Sequence, residues 1–478
     1  MTITATNDSL INRLQGILGD RGLSTDPATL APWLTDWRGR YTGAALAMVS
    51  PANRDELAAV VRLAAETGTP IVPQGGNSGM VGGATPDTSG TALLLSTRRM
   101  QTIRSIDSQA RTVIADAGVI LQTLHEAVAK QGLRFPLTLG GKGSATVGGL
   151  VSTNAGGTQV LRHGTMRALV DGIEAVLPDG SIYNGLVTLK KDNRGYDLKH
   201  LLIGAEGTLG IVTAATLRLV PALVDRVVVW AGLDSPMAAR QLLLLLEDRA
   251  GHAVEGFEIV PQRCLTNVIR HIPGTRAPLA GPHPWHVLIE LVRDNPAALP
   301  PEQIAEDLMA HALERGLIND AAISVNEAQA EAFWKLRDSI SEAERAEGPA
   351  MQHDISVPVA AMPGFIVDAG KSVEAAFPGV EVAAFGHLGD GNVHFHVAAP
   401  SGADASLWPD HPGKAISALV HNLVVEAGGS ISAEHGIGQM KRDELARLSD
   451  PPRLAALTAI KQALDPKGIM NPGKLIAL

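Results

Sequence analysis

The residues best suited to chemistry stand together in one stretch, Phe385-Gly-His-Leu-Gly-Asp-Gly-Asn-Val-His-Phe-His396. The pattern predicts a β-hairpin whose strands close at Leu388 and reopen at Val393. Gly389-Asp390-Gly391-Asn392 forms the turn, from residue types that tolerate turn backbone angles. In that register Leu388 faces Val393 and His387 faces His394, with Cβ atoms roughly 5 Å apart. Strand alternation returns His396 to the His394 face. A single histidine there would read as a core residue; three imidazoles on one face predict part of a metal site.

Such a hairpin needs a scaffold, and the sequence supplies one in two styles. Up to about residue 221, short strands and turns surround three glycine-rich tracts: Gln74–Gly83, Phe135–Gly149 continuing into Ser152–Gly157, and Gly204–Gly210. Asn53-Arg-Asp-Glu56 resembles a capping box opening a helix that Gly68 closes. Ile71-Val72-Pro73 then runs as a strand into the first glycine tract, where backbone amides can approach an anion closely. Beyond residue 222 glycines thin out and longer helices alternate with strands. Asn326-Glu-Ala-Gln329 is a second box-like cap, for a helix carrying Phe333, Trp334, Leu336, Arg337 and Ile340. These strand–helix–strand units predict an α+β, ferredoxin-like sheet. A helical segment over 406–478 ends the chain. No internal repeat is legible.

With 478 residues the chain is long enough for two or three domains. The net charge of −9 is spread without basic blocks, which argues against nucleic acid as a partner. The one cysteine, Cys264, excludes an intrachain disulfide and any cysteine-ligated iron–sulfur cluster within this chain. No apolar run is long enough to span a bilayer, and the first residues lack a signal-peptide pattern. A cytoplasmic protein is expected on that basis.

No glycine tract fits a Walker A loop or a Rossmann fingerprint, so together they suggest a dinucleotide held by backbone amides outside a Rossmann fold. Four ordered runs then carry a resemblance: Pro73–Gly83, Gly143-Ser-Ala-Thr-Val-Gly-Gly149, Thr153-Asn-Ala-Gly-Gly157 and Gly204-Ala-Glu-Gly-Thr-Leu-Gly-Ile211. They resemble the FAD-linked D-2-hydroxyacid dehydrogenases of the vanillyl-alcohol oxidase and p-cresol methylhydroxylase superfamily, nearest to those acting on D-2-hydroxyglutarate. The resemblance extends over nearly the whole chain, to Asn471-Pro-Gly-Lys-Leu-Ile476. It implies a p-cresol methylhydroxylase-type FAD-binding domain over 1–221, a substrate domain over 222–405, and a C-terminal segment, 406–478, completing the site.

The resemblance also implies roles. Gln74, Gly75, Gly76, Asn77, Ser78 and Gly82 would wrap the pyrophosphate. Pro136, Gly140, Ser144, Gly148, Gly149, Asn154 and Gly157 would line the isoalloxazine and ribityl side. Glu206, Gly207 and Ile211 would hold the adenine end, with Asn471 also at the cofactor. The pyrophosphate loop contains no His or Cys, so the flavin is expected to be non-covalent. His387, His394 and Glu434 would bind a divalent metal; such nitrogen and oxygen ligands suit zinc. His435 would be the general base. Arg337 and Ser341, four residues apart on one helix face, would bind substrate. In the run Met351–Val359, Gln352 stands where the family has Lys, and His396 stands where it has Asn; both are taken as substrate-binding. The activity implied is oxidation of a D-2-hydroxyacid, D-2-hydroxyglutarate first, with D-lactate or D-malate as alternatives. Electrons would pass to an external acceptor, an electron-transfer flavoprotein or a quinone-linked partner, and a homodimer is possible. A non-catalytic flavoprotein subunit is the reading from another class.

Overall fold

The computed structural model describes residues 2–477. By internal contacts it divides into two units, one comprising 1–156, 164–220 and 434–478, the other 157–163 and 221–433. The segment from 406 to 478, read above as one helical piece, is thus shared between them: helix Gly413–Glu426 lies in the second unit and everything from Glu434 in the first.

In the first unit, α1 (Thr2–Gly22) and α2 (Arg54–Thr67) cover a small sheet built from β1 (Leu23–Ser24), β2 (Ala47–Val49), β3 (Ile71–Gln74) and β4 (Leu93–Ser96). The order is β1-β2-β4-β3, with β2, β4 and β3 parallel. Leu10, Leu14 and Leu18 of α1 and Leu57, Val60 and Val61 of α2 bury one apolar face against these strands. The start of α2 is fixed by its sequence: Asn53 Oδ1 accepts from the Asp55 and Glu56 amides while Glu56 Oε2 accepts from the Ala52 amide. Gly68, left-handed at φ 70°, ends it.

A second, antiparallel sheet holds β5 (Ile103–Asp107), β6 (Thr112–Asp116), β7 (Val170–Val176), β8 (Ile182–Gly185) and β9 (Ile211–Arg218), ordered β5-β6-β9-β7-β8. Helix α3 (Val147–Thr153) leads from the second glycine tract into this layer.

The second unit is one seven-stranded sheet. Its elements are β10 (Asp225–Leu233), α4 (Pro236–Ala250), β11 (Val254–Pro261), α5 (Gln262–His271), β12 (Trp285–Arg293), α6 (Pro301–Glu314) and β13 (Asp320–Ile323). They continue with α7 (Glu327–Asp338), α8 (Ile340–Glu347), β14 (Ala350–Ser356), α9 (Met362–Ala376), β15 (Glu381–His387), β16 (Asn392–Ala398) and α10 (Gly413–Glu426). The order β13-β10-β12-β11 is that of a ferredoxin-like unit. The strands β15-β16-β14, with α9 and α10, repeat its first three strands and two helices, and join it where β15 pairs with β11. The fold therefore contains a repeat that residue-level comparison of the sequence does not reveal.

Strand alternation sorts this sheet into two faces. Val229, Phe257, Ile259, Val393 and Phe395 turn into the larger core, under α4, α6, α9 and α10. Val228, Trp230, Val260, Ala383 and Phe385 turn the other way, against Cys264 and Leu265 of α5, Phe333 and Leu336 of α7 and Ile340 of α8. The polar residues of interest lie on this second face.

Candidate active site

In the first unit, β3 delivers the chain into Gly75 and Gly76, and both positions require glycine. A Cβ on Gly75 would lie 2.2 Å from Thr146 Oγ1, and one on Gly76 would lie 1.7 Å from the Ser144 carbonyl oxygen. The first and second glycine tracts are thus pressed backbone to backbone. Asn77 holds φ 52° and its side-chain Nδ2 donates to the Thr35 carbonyl at 2.9 Å. Gln74 Nε2 donates to the Trp33 and Ala84 carbonyls. Gly148 rests on Ala117, while Gly140 and Ser144 are exposed. Pro136 is buried beside Phe135, and Gly149 is half-buried near Thr146. Asn154, left-handed, accepts from Thr165 Oγ1 and the Arg167 amide. Ser78 is half-buried at the end of the first loop. Gly157 falls in the second unit by its contacts.

The third tract joins them through Gly207, whose absent Cβ would meet Pro73 Cγ at 2.4 Å. Ile211 is buried in the core with Ile71 and Leu93, so its contribution to a ligand site is its backbone. Three buried acceptors in this region, Gln74 Oε1, Thr146 Oγ1 and Asn471 Oδ1, have no hydrogen-bond partner among the described residues. A glycine-lined cradle with orphaned polar atoms fits a ligand rich in phosphate and hydroxyl groups.

The sequence did not reveal how the C-terminal segment is tied to this cradle. Glu206 Oε1 and Oε2 accept from the Ile437 and Gly438 amides, each at 2.7 Å. Burial raises the Glu206 carboxyl pKa, and these two amides oppose the shift. The Gln439 amide bonds to the Val81 carbonyl, and Gln439 Nε2 to that of Gly82. Asn471 Nδ2 bridges the Gly83 and Glu206 carbonyls. Buried Lys461 donates to the Thr208 and Met470 carbonyls and to Asp465. Consequently the residues directly after His435 are anchored on the glycine loops, and Glu206 performs that anchoring with its side chain.

In the second unit the hairpin forms, but in a different register from the expected one. His387 pairs with Asn392, Phe385 with His394 and Ala383 with His396. The turn tightens at His387, whose carbonyl accepts from the Gly391 amide, while Asp390 Oδ1 accepts from the Asn392 amide and Gly391 takes φ 83°. The slide is by two residues, so each side chain keeps its face. His387 and His394 become diagonal neighbours, ring centroids 5.5 Å apart and nearly perpendicular. His396 sits edge-on to Phe385 at 5.0 Å. Across from β16, Asp354 pairs with His394 and Gln352 with His396.

Two side chains on this face were not singled out from the sequence. Glu258, opposite His387 on β11, accepts from His387 Nδ1 with one oxygen and from Arg337 Nε at 2.8 Å with the other. Burial by itself would raise its pKa, yet His387 and Arg337 outweigh that and hold it at about 2. Its signal was a pair of carboxylates, Glu255 and Glu258, in an otherwise apolar strand, Val254–Pro261. Asp354 is the second: buried, it accepts from Asn392 Nδ2 at 3.0 Å. Burial, with Arg337 and His387 nearby, lowers the His394 pKa well below the ordinary value, so its ring is neutral at pH 7.

Arg337 lies over the Phe385 ring at 5.2 Å. It does not share an unbroken helix with Ser341: α7 ends at Asp338, Ser339 relaxes to ψ −2°, and α8 opens at Ile340. The two are therefore not successive turns of one regular face. Ser341 is half-buried.

Glu434 follows Ala433, the last residue of the second unit, whose amide bonds to the Asp354 carbonyl. One ligand atom from each of His387, His394 and Glu434 lies within 4.8 Å of the others, and the same holds for Asp354, Glu434 and His435. Two imidazoles and a carboxylate form a donor set that fits a divalent ion of the zinc type.

Residues 224–475 match the FAD linked oxidases, C-terminal domain, and residues 45–185 match the FAD binding domain. The chain is 34% identical over 467 residues to "D-2-hydroxyglutarate dehydrogenase, mitochondrial" of Arabidopsis thaliana, covering 98% of this chain and 81% of that one. It is 36% identical over 470 residues to "D-2-hydroxyglutarate dehydrogenase" of Xanthomonas citri pv. viticola, covering 98% and 97%. Among solved structures it is similar to p-cresol methylhydroxylase with substrate bound, at a TM-score of 0.73 and 16% identity, over 98% of this chain and 97% of that one. Among the described residues no helix is long and apolar enough to cross a membrane. The chain belongs to the FAD-linked oxidase family and, within it, to the FAD-dependent D-2-hydroxyacid dehydrogenases.

Proposed function

We propose that this enzyme oxidises D-2-hydroxyglutarate to 2-oxoglutarate, using non-covalent FAD and a divalent metal ion, zinc by preference. The observation carrying the metal-dependent reading is the cluster of His387, His394 and Glu434 ligand atoms beside His435. When bound, FAD would accept at N5 the hydride leaving C2, and the ion would polarise the 2-hydroxyl and the α-carboxylate. His387, His394 and Glu434 would hold the ion, and His435 would take the hydroxyl proton as the carbonyl forms. Gln74 to Ser78 and Gly82 would lie along the pyrophosphate, where glycine lets amides approach.

Arg337 would hold the substrate's distal carboxylate. Its Nε is taken by Glu258, but Nη1 and Nη2 make no hydrogen bond among the described residues, so the end of the fork is available to an anion. Gln352 and His396, the two departures from the family pattern, are direct cross-strand partners. Preference among D-2-hydroxyacid chain lengths would be set at this pair. With Cys264 the only cysteine and no cluster in this chain, electrons would leave the reduced flavin to an external acceptor.

Anaerobic mixing with D-2-hydroxyglutarate should bleach the flavin absorbance, while the L-enantiomer should leave it unchanged. No bleaching with any D-2-hydroxyacid would overturn the proposal. Flavin released into the supernatant by acid precipitation supports non-covalent attachment; colour remaining in the pellet refutes it.

A further inference from the structure

Glu258 is a buried carboxylate on the site face that neither the proposed metal donor set nor the proposed proton transfer uses. It lies in the middle of β11, and its neighbours Phe257 and Ile259 turn into the core on the other side of the sheet. Its side chain is 1% exposed. Enclosing a carboxylate so completely is costly unless both oxygens are satisfied. An ion pair with Arg337 alone would explain one oxygen. The other is spent on His387 Nδ1.

With Arg337 Nε donating to its other oxygen, Glu258 is the acceptor in this contact, which places Nδ1–H on His387; in the neutral ring the lone pair is then on Nε2. On the opposite oxygen, the Arg337 bond engages Nε and does not involve Nη1 or Nη2. A single side chain thereby sets the tautomer of one candidate ligand and the direction of the candidate substrate clamp.

We propose that Glu258 is the positioning residue shared by metal and substrate recognition: it locks His387 with Nε2 toward the ion and holds Arg337 with Nη1 and Nη2 toward the substrate's distal carboxylate. This rests on the metal-dependent reading above. It adds that metal affinity and dicarboxylate preference depend on the same carboxylate, although Arg337 binds no metal and His387 binds no distal carboxylate.

The test uses full-length holoenzyme with zinc affinity measured by chelator competition, a readout independent of turnover. It is paired with the ratio of kcat/KM for D-2-hydroxyglutarate to that for D-lactate. Glu258→Gln should weaken zinc binding by about 10- to 100-fold, the effect of losing a ligand's outer partner, and should lower the substrate ratio. Arg337→Met should lower the ratio as well but leave zinc affinity within about threefold of wild type, since it removes no ligand partner. If Glu258→Gln fails to fold, the charge-balanced pair Glu258→Gln with Arg337→Met carries the test and should bind zinc as weakly as expected for Glu258→Gln alone. A folded Glu258→Gln or double variant with wild-type zinc affinity overturns the role of Glu258 and leaves the proposed function standing. Wild-type enzyme that binds no zinc yet bleaches fully with substrate overturns the metal-dependent reading, and this inference with it.

Discussion

Burial and the neighbouring Arg337 and His387 keep His394 neutral, and a neutral imidazole offers its lone pair to a cation without first losing a proton. His387 differs in that its Nδ1 is engaged by Glu258, which leaves Nε2 as its coordinating atom. Replacing either ring by a non-ligand tests the proposed metal site. His387→Ala should remove the bound metal, cut flavin reduction by roughly 10²-fold or more, and leave the flavin spectrum in place; metal analysis with stopped-flow absorbance checks this. His435→Asn should retain the metal and slow flavin reduction by about 10²- to 10⁴-fold, the usual contribution of a general base. Equal reduction rates in His435→Asn and wild type would exclude the residue as the base.

At the scale of elements, the glycine loops and the hairpin tolerate change very differently. Gly76 has the Ser144 carbonyl where a Cβ would be, and backbone cannot step aside as a flexible side chain can. Gly76→Ala should therefore yield protein depleted in flavin, measured as the absorbance ratio of flavin to protein. Helix α2, by contrast, stands on a local cap: Asn53→Ala should cost about 1 kcal/mol of stability and leave flavin content unchanged, as denaturant unfolding would report. The hairpin could slide by two residues from its expected register because strand side chains repeat every two residues. A slide of one would have put His387 on the opposite face from His394 and His396. The break at Ser339 has no comparable safeguard, since helical spacing is lost wherever a helix is interrupted.

For the whole molecule, pH acts through groups whose native environment differs from water. His286 accepts from Trp230 Nε1 at Nδ1 and meets Gln262 Oε1 at Nε2. Burial, with His283 adding, lowers its pKa to about 4. The unfolded chain binds a proton at about 6.5, so between those values the unfolded state holds more protons than the native one. Its contribution therefore makes stability decline as pH falls from about 6.5 to about 4 and level off below. Urea midpoints at pH 7 and pH 4.5 should differ more for wild type than for His286→Gln. Glu258 contributes in the same direction at lower pH: its stabilisation is complete above the ordinary carboxylate range and lost as pH falls toward about 2.

Local chemistry made much of this protein legible in its sequence. Asn53, Gly68 and Asn326 announce helix ends through bonds made within a few residues, and the structure uses them so. Gly75 and Gly76 announce a backbone approach, and the histidine spacing announces a shared face. What the sequence could not state is which distant residue completes each contact. The pairing of β11 with β15 brings Glu258 to His387 across 129 positions, and Glu206 meets Ile437 across 231. The repeated strand order of the second unit is likewise carried by pairing alone. Periodicity and capping are set by neighbours along the chain; a buried carboxylate acquires its partners only when separate strands are hydrogen-bonded into one sheet.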